Sequence, residues 1–288
     1  MNKQEQKTVF FVVNENYFSK MLVTLYSVLK HNNAVFAFYV VNTDVPSEMF
    51  DGINEHIFPS RIVDVKVDNS LFKGANTMRG DLNYTAYIKT LLPDIMQQQG
   101  IENALFLDCD LIVVSPILEL FSFRQSSIYA KYDKFCVEHN KEYFQTKHID
   151  YTRYFNSGVM VLNSIDEYRY IERLKCLIYE RGLDFRFHDQ DILNILYADN
   201  NMCLPDKYNH FTHIIGFKTL FFHHKSSILH YCNLKPWYKG YFGRYKRLYY
   251  MYYTEAEAFF DKKFDFYHSS NPIEVIKSLF SKIKSVLD

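Results

Sequence analysis

Ala104-Leu105-Phe106-Leu107-Asp108-Cys109-Asp110 is the stretch from which the rest of this chain is read. Four apolar residues end abruptly in two carboxylates spaced i, i+2. A short apolar run bounded by polar residues reads as a buried strand. Its last residues then reach the carboxyl edge of a sheet, where open α/β folds bind their ligands. Side chains at i and i+2 point to one side of an extended backbone, so Asp108 and Asp110 can face a single ion. Cys109, small and mostly apolar, turns toward the core between them. Hard oxygen ligands suit Mg²⁺ or Mn²⁺, which bridge phosphate oxygens. An isolated Asp-x-Asp is common in surface turns, and the strand before it makes this one a metal–phosphate candidate.

Outward from this strand the chain alternates between two periodicities. Thr8–Val13 reads as a first buried strand, followed by the polar turn Asn14-Glu15-Asn16. Ser19 caps a helix to about Lys30, with Met21, Leu22, Leu25, Val28 and Leu29 on its apolar face. Val35–Val41 and Ile62–Val67 are further strands, and Tyr84–Leu92 is helical up to Pro93. In the second half, Tyr154–Leu162 and Ser227–Tyr231 read as strands, and Ile165–Arg181 and Gln190–Tyr197 as helices, with Asp189 at the start of the latter. Strands and helices at this spacing predict an α/β fold with a mostly parallel central sheet flanked by helices.

Composition narrows the function. The 288 residues are 48% hydrophobic and 18% aromatic, ample for a sizeable core. With 33 basic and 33 acidic residues the formal net charge is zero, against a nucleic-acid binder. Five cysteines, widely spaced and without a C-x-x-C pair, argue against a disulfide framework or a zinc site and for a reducing compartment. The polar start MNKQEQKTVF does not read as a signal peptide, and no apolar run reaches membrane-spanning length. The expected location is cytoplasmic.

After Pro236 the composition changes. From Trp237 to Phe260, 11 of 24 residues are aromatic, interleaved with Lys239, Arg244, Lys246 and Arg247. Ile273, Ile276, Phe280, Ile283 and Leu287 then follow helical spacing, flanked by Lys277 and Lys284. Such a basic–aromatic, amphipathic extension suits a membrane interface as well as packing on the body. We therefore expect a catalytic domain over 1–237 and a helical appendage over 238–288 that touches the cytoplasmic face of the inner membrane.

Three more clusters accompany the aspartate pair. Phe155-Asn156-Ser157-Gly158-Val159 sets small polar residues among apolar ones, which lets backbone approach a ligand closely. His188-Asp189-Gln190-Asp191 opens a helix, where acidic residues also favour the helix dipole. His230-Tyr231-Cys232-Asn233-Leu234-Lys235-Pro236-Trp237 follows a strand and holds an imidazole and an ammonium five residues apart. In this order, the clusters over residues 8 to 237 resemble the family 8 glycosyltransferases, retaining enzymes of the GT-A nucleotide-sugar fold. That family includes bacterial lipopolysaccharide galactosyl- and glucosyltransferases and glycogenin.

The resemblance implies roles for individual residues. Asp108, Asp110 and His230 would hold Mn²⁺, with Mg²⁺ as the substitute, and Lys235 would sit on the diphosphate of a UDP-sugar. Asn14, Asn16 and Tyr17 match the family's uridine-binding turn, with Tyr17 stacking on uracil. Tyr87 and Lys89 fall where the family often has Tyr-x-Arg against the donor. Asn156, with its neighbour Ser157, and Asp189 would hold donor-sugar hydroxyls, and Gln190 would lie near the anomeric carbon. Three departures stand out: Lys89 lacks the planar fork of arginine, Asn14 replaces a common Asp, and the His230-to-Lys235 interval is one residue short.

Chemically, loss of a diphosphate leaves negative charge on UDP, for metal and Lys235 to stabilise, and oxocarbenium character on the sugar. Gln190's amide oxygen is a poor nucleophile, and Asp189 or Asp191 is a stronger one. The expectation is a retaining hexosyltransferase using UDP-galactose or UDP-glucose, acting by same-face attack with Gln190 beside the cation. Its acceptor would be a surface glycan or lipopolysaccharide. One rival is a haloacid dehalogenase-like phosphohydrolase, in which Asp108 would be the nucleophile. A second is a membrane-associated module that binds nucleotide or glycan without turnover.

Overall fold

The computed structural model describes residues 6–73, 84–164, 170–212, 226–232, 235–238 and 245–264. In chain order they form β1 (Lys7–Val12), α1 (Glu15–His31), β2 (Phe36–Asn42), α2 (Ile53–Ile57), β3 (Arg61–Lys66), α3 (Thr85–Ile88) and α4 (Leu92–Gln98). There follow β4 (Asn103–Leu107), β5 (Leu111–Val113), β6 (Ile128–Tyr132), α5 (Lys134–Thr146), β7 (Phe155–Asn163) and α6 (Tyr170–Arg181). The last elements are α7 (Asp189–Leu196), β8 (Asn201–Cys203), β9 (His210–Phe211), β10 (Ile228–His230) and α8 (Lys246–Phe260). The chain divides into two compact units, 1–15 with 34–108 and 118–205, and 16–33 with 109–117 and 206–288.

The first unit is built on a seven-stranded sheet of order β3-β2-β1-β4-β7-β6-β8. Four of its six pairings are parallel; β7 is antiparallel to both β4 and β6. All seven residues of β2 are buried, as a parallel strand covered on both faces requires. Phe10, Tyr39, Phe106 and Met160 meet Tyr87, Ile88, Leu92, Phe144, Tyr154 and Leu193 in one core cluster. Register matters most at β4: Leu107 pairs with Val159, and the Asp108 N–H donates to the Gly158 carbonyl at 2.8 Å. That single pairing sets the Asn156-Ser157-Gly158 segment beside Asp108.

The second unit has a three-stranded sheet of order β5-β10-β9, with β10 antiparallel to β5 and parallel to β9. Pairing of His230 with Leu111 continues as a bond from the Tyr231 N–H to the Asp110 carbonyl, 2.8 Å. α1 supports this sheet through a buried polar stripe. Thr24 Oγ1 faces the Leu111 and Cys109 carbonyls at 2.8 and 3.3 Å, so the backbone on both sides of Asp110 is satisfied. Ser27 Oγ accepts the Val113 N–H at 2.9 Å, and Asn32 Oδ1 accepts that of Ile117 at 2.8 Å.

Two expectations need correcting. The helix expected from Ser19 begins at Glu15, so Glu15 and Asn16 lie in its first turn rather than in a loop, and Asn14 directly precedes it. An acidic residue there suits the positive end of the helix dipole. The aromatic belt turns inward: Trp237, Tyr238, Tyr249, Tyr252, Tyr253 and Phe260 are buried. α8 packs on α1 through His31 Nε2 and the Tyr252 hydroxyl (2.6 Å), Lys30 and Glu255 (2.5 Å), and Tyr26 against Phe259. Burying such rings gains about 25 cal/mol per Å² of apolar surface, which favours a core over an exposed face. Residues 239–244 and the apolar series from Ile273 to Leu287 lie outside the described residues. Among the described residues, no helix is long and apolar enough to cross a membrane.

Candidate functional site

In the first unit the acidic clusters converge on one lysine. Lys89, in the tight turn between α3 and α4, places Nζ 2.9 Å from Asp108 Oδ1 and 3.0 Å from Asp189 Oδ2. Ser157 Oγ lies 3.4 Å away, and the Phe106 ring lies beneath with its centroid at 5.0 Å. An ammonium has three donors, and here it meets three oxygens. Burial opposes the charge on Lys89, but Asp108 and Asp189 outweigh it and hold its proton well above the ordinary lysine range. Ser157 Oγ also donates to Asp189 Oδ2 at 2.8 Å.

α7 is locked onto β7. Asn194 accepts the Phe155 N–H and donates to the Phe155 carbonyl, both at 2.8 Å, in the manner of a strand partner. One turn earlier, Gln190 Oε1 accepts from Asn156 Nδ2 at 3.0 Å and from the Ser157 N–H at 3.2 Å. The amide oxygen expected beside the sugar cation therefore already accepts two hydrogen bonds. Asp191 is fully buried, and its oxygens accept from the Tyr143 and Tyr154 hydroxyls at 2.6 Å each and from the Phe187 N–H at 2.9 Å. Burial pushes its carboxyl above the usual range, partly offset by those donors. Asp191 anchors the helix start with both oxygens engaged, whereas the side-chain contacts of Asp189 with Lys89 and Ser157 fall on Oδ2 alone.

His188, just before α7, adopts φ 50° and ψ −118°, a conformation that favours glycine and costs a side-chain-bearing residue roughly 1–3 kcal/mol. Its Nδ1 lies 3.2 Å from the Tyr87 hydroxyl, which also donates to the Leu183 carbonyl. Tyr87 is only 1% exposed, with its ring stacked on Phe72. The structure thus puts Tyr87 beneath the turn that presents Asp189, not on an open surface.

The second unit holds the other cluster. Asp110 is buried, its Oδ1 3.2 Å from His230 Nε2, and its Oδ2 is ion-paired with Lys235. Burial opposes ionisation of Asp110, but Lys235 and His230 outweigh it and hold the carboxyl well below the usual range. The other ring nitrogen, His230 Nδ1, lies 2.9 Å from Asn209 Oδ1. Tyr17 is half-buried, edge-on to Trp237 at 5.9 Å, while Asn16 is exposed and offers its carbonyl to Lys20. Asn14, in the first unit, is buried.

Comparison with known proteins decides the family. The sequence model for "Glycosyl transferase family 8" matches residues 8–240, most of the chain. The chain belongs to glycosyl transferase family 8.

Within that family, this chain is 26% identical over 259 residues to glycosyltransferase GlyF of Streptococcus pneumoniae serotype 4, covering 86% of this chain and 61% of GlyF. It is 26% identical over 213 residues to glycosyltransferase GlyA of the same organism, covering 72% of this chain and 28% of GlyA. It therefore spans less than two thirds of either relative. Among solved structures, galactosyltransferase LgtC in complex with donor and acceptor sugar analogues superposes with a TM-score of 0.75 at 18% identity, covering 86% of this chain and 95% of LgtC. The apo form of GlyE gives a TM-score of 0.67 at 22% identity, covering 97% of this chain and 64% of GlyE. Both likenesses concern the fold, and they agree with the expected GT-A architecture. Family 8 membership also sets aside the phosphohydrolase reading.

The described residues include every expected site residue. Asn194, Tyr143, Tyr154 and Asn209 were not flagged in the sequence, because a buried Asn or Tyr carries no periodicity that separates a positioning role from a core one.

Proposed function

We propose that this family 8 chain moves galactose or glucose from a UDP-sugar to a surface-glycan or lipopolysaccharide-type acceptor, with retention of configuration and with Mn²⁺ as cofactor. The observation that carries this reading is the convergence of Asp110, His230 Nε2 and Lys235. A buried carboxylate and an imidazole nitrogen form a donor set that fits Mn²⁺. Asp108, two residues before Asp110 in the chain, would join them as third ligand. When bound, the ion supplies Lewis-acid stabilisation of the departing diphosphate.

The chain's own groups do the rest. Lys235 exchanges its contact with Asp110 for the diphosphate, placing a positive charge where negative charge develops. Asp189, its Oδ2 held by Lys89 and Ser157, holds donor hydroxyls together with Asn156. Asn14, Asn16 and Tyr17 receive uridine. Gln190, pinned by Asn156 and the Ser157 N–H, orients the face on which leaving group and acceptor exchange.

A donor screen tests the reading. UDP release from UDP-galactose, UDP-glucose and their N-acetyl counterparts is followed with Mn²⁺ or with EDTA. The expected result is release from one hexose donor, abolished by EDTA and enhanced by acceptor. UDP binding without release under any acceptor would favour the non-catalytic module, and no UDP binding with Mn²⁺ would overturn the proposal.

We also propose that contact with the cytoplasmic face of the membrane rests on the lysine-flanked series Ile273 to Leu287, since the described aromatic residues of the belt are largely buried. Removing residues 265–288 is expected to reduce co-sedimentation with anionic vesicles while leaving donor hydrolysis in place. Unchanged sedimentation would remove the membrane from this account.

A further inference from the structure

We propose that Asn209 is a positioning residue of this site: its carboxamide oxygen fixes the His230 ring so that Nε2 is the nitrogen presented beside Asp110. The inference rests on the reading that Asp110 and His230 bind a divalent cation. Imidazole has two possible ligand atoms, and the partner of one selects the other. His230 is 2% exposed, so water does not make that selection. Nδ1 lies 2.9 Å from Asn209 Oδ1, and Nε2 lies 3.2 Å from Asp110 Oδ1. A carboxamide oxygen only accepts, so a hydrogen on Nδ1 satisfies this contact and leaves Nε2 as the nitrogen that can ligate a cation.

The surroundings of Asn209 suit a fixed strut. Its side chain is fully buried, and its N–H donates to the Asp206 carbonyl at 3.3 Å, closing a short turn ahead of β9. β9 is in register with β10, Phe211 opposite His230, and the Thr212 N–H donates to the His230 carbonyl at 3.0 Å. The Phe211 ring stands edge-on to the imidazole with centroids 6.0 Å apart, limiting its rotation. His210, next in sequence and a ligand by residue type, instead sets its ring against Tyr245 at 6.1 Å. Fold, rather than residue type, assigns the supporting role to Asn209.

Mn²⁺ affinity of the full chain, read from the loss of the free Mn²⁺ electron paramagnetic resonance signal, tests this directly. Asn209→Leu keeps the branched skeleton without the acceptor, and Asn209→Asp keeps an acceptor that cannot donate. Asn209→Leu is expected to weaken Mn²⁺ binding by about 10- to 100-fold, as loss of a ligand's hydrogen-bond partner does, and Asn209→Asp to match or exceed wild-type affinity. If leucine is not accommodated, Asn209→Ala makes the same comparison, with thermal melts in EDTA confirming folding. Wild-type affinity in the folded Leu or Ala variant would overturn the proposal. So would equal losses in Asn209→Asp and Asn209→Leu, which would mean that the amide NH₂ faces the ring. Absence of Mn²⁺ binding by the wild-type chain would instead sink the metal reading, and this inference with it.

Discussion

Asp110→Ala is expected to abolish Mn²⁺-dependent UDP release, lowering kcat/KM on the order of a thousandfold, the scale of losing a preorganised charge-stabilising group. Two losses combine. The first is a proposed metal ligand; the second is the anion between His230 and Lys235. Without it, the largely covered Lys235 ammonium loses its contact with Asp110 and the buried His230 ring loses its neighbour at 3.2 Å. Removing one partner of a buried pair costs about 3–5 kcal/mol, and the 20% exposure of the Lys235 side chain places this case at the lower end. A melting temperature lower by roughly 10 °C should follow for a chain of this size. Asp110→Asn, which keeps the shape, separates the two effects: turnover should fall as far, with a smaller change in melting. Full Mn²⁺-dependent turnover in a folded Asp110→Asn protein would remove Asp110 from the metal site.

Lys89→Met should produce the largest loss of stability of any single change proposed here. Its ammonium neutralises Asp108 and Asp189 at 2.9 and 3.0 Å in a nearly closed environment, the side chain being 9% exposed. Methionine preserves the apolar stem and leaves two carboxylates without their cation, for about 3–5 kcal/mol. The contact with the Phe106 ring adds about 1 kcal/mol more. A folded-state pKa raised above the unfolded value means that stabilisation is complete below the unfolded lysine pKa, about 10.4. It declines only as pH rises through the folded value. The difference between wild type and Lys89→Met, measured by urea denaturation, should therefore stay constant from about pH 6 to 9. Lys89→Arg should recover part of the stability, because the guanidinium keeps the charge but is broader than an ammonium among three convergent oxygens. Equal stability of Lys89→Met and wild type would show that the carboxylates are neutralised by other means.

Much of this architecture is legible in the chain. Apolar runs at Thr8–Val13, Val35–Val41 and Ala104–Leu107 fall on β1, β2 and β4, because a strand covered on both faces must be apolar at nearly every position. α1 begins at Glu15, ahead of the cap expected at Ser19, since Asn14-Glu15-Asn16 reads equally well as a turn and as a helix entry. Interleaved Lys and Arg leave the aromatic belt open to two readings, a membrane interface and packing on the body. In the structure its described rings largely face inward, and a charged side chain one or two positions away in a helix points in another direction.

The sequence by itself determined the α/β alternation, the i, i+2 carboxylates at a strand end, and the order of the acidic, Asn-Ser-Gly and His–Lys clusters. These are local properties, carried by residue type and spacing. Only the tertiary structure decided the partnerships. Antiparallel register between β4 and β7 sets Gly158 against Asp108, packing of α7 seals Asp191 under Tyr143 and Tyr154, and β9 delivers Asn209 to His230. Lys89 and Asp189 are 100 residues apart in the chain, and their ion pair depends on sheet register and helix packing. Local periodicity carries neither, so the charges that stabilise or block a functional side chain become visible only once the chain is folded.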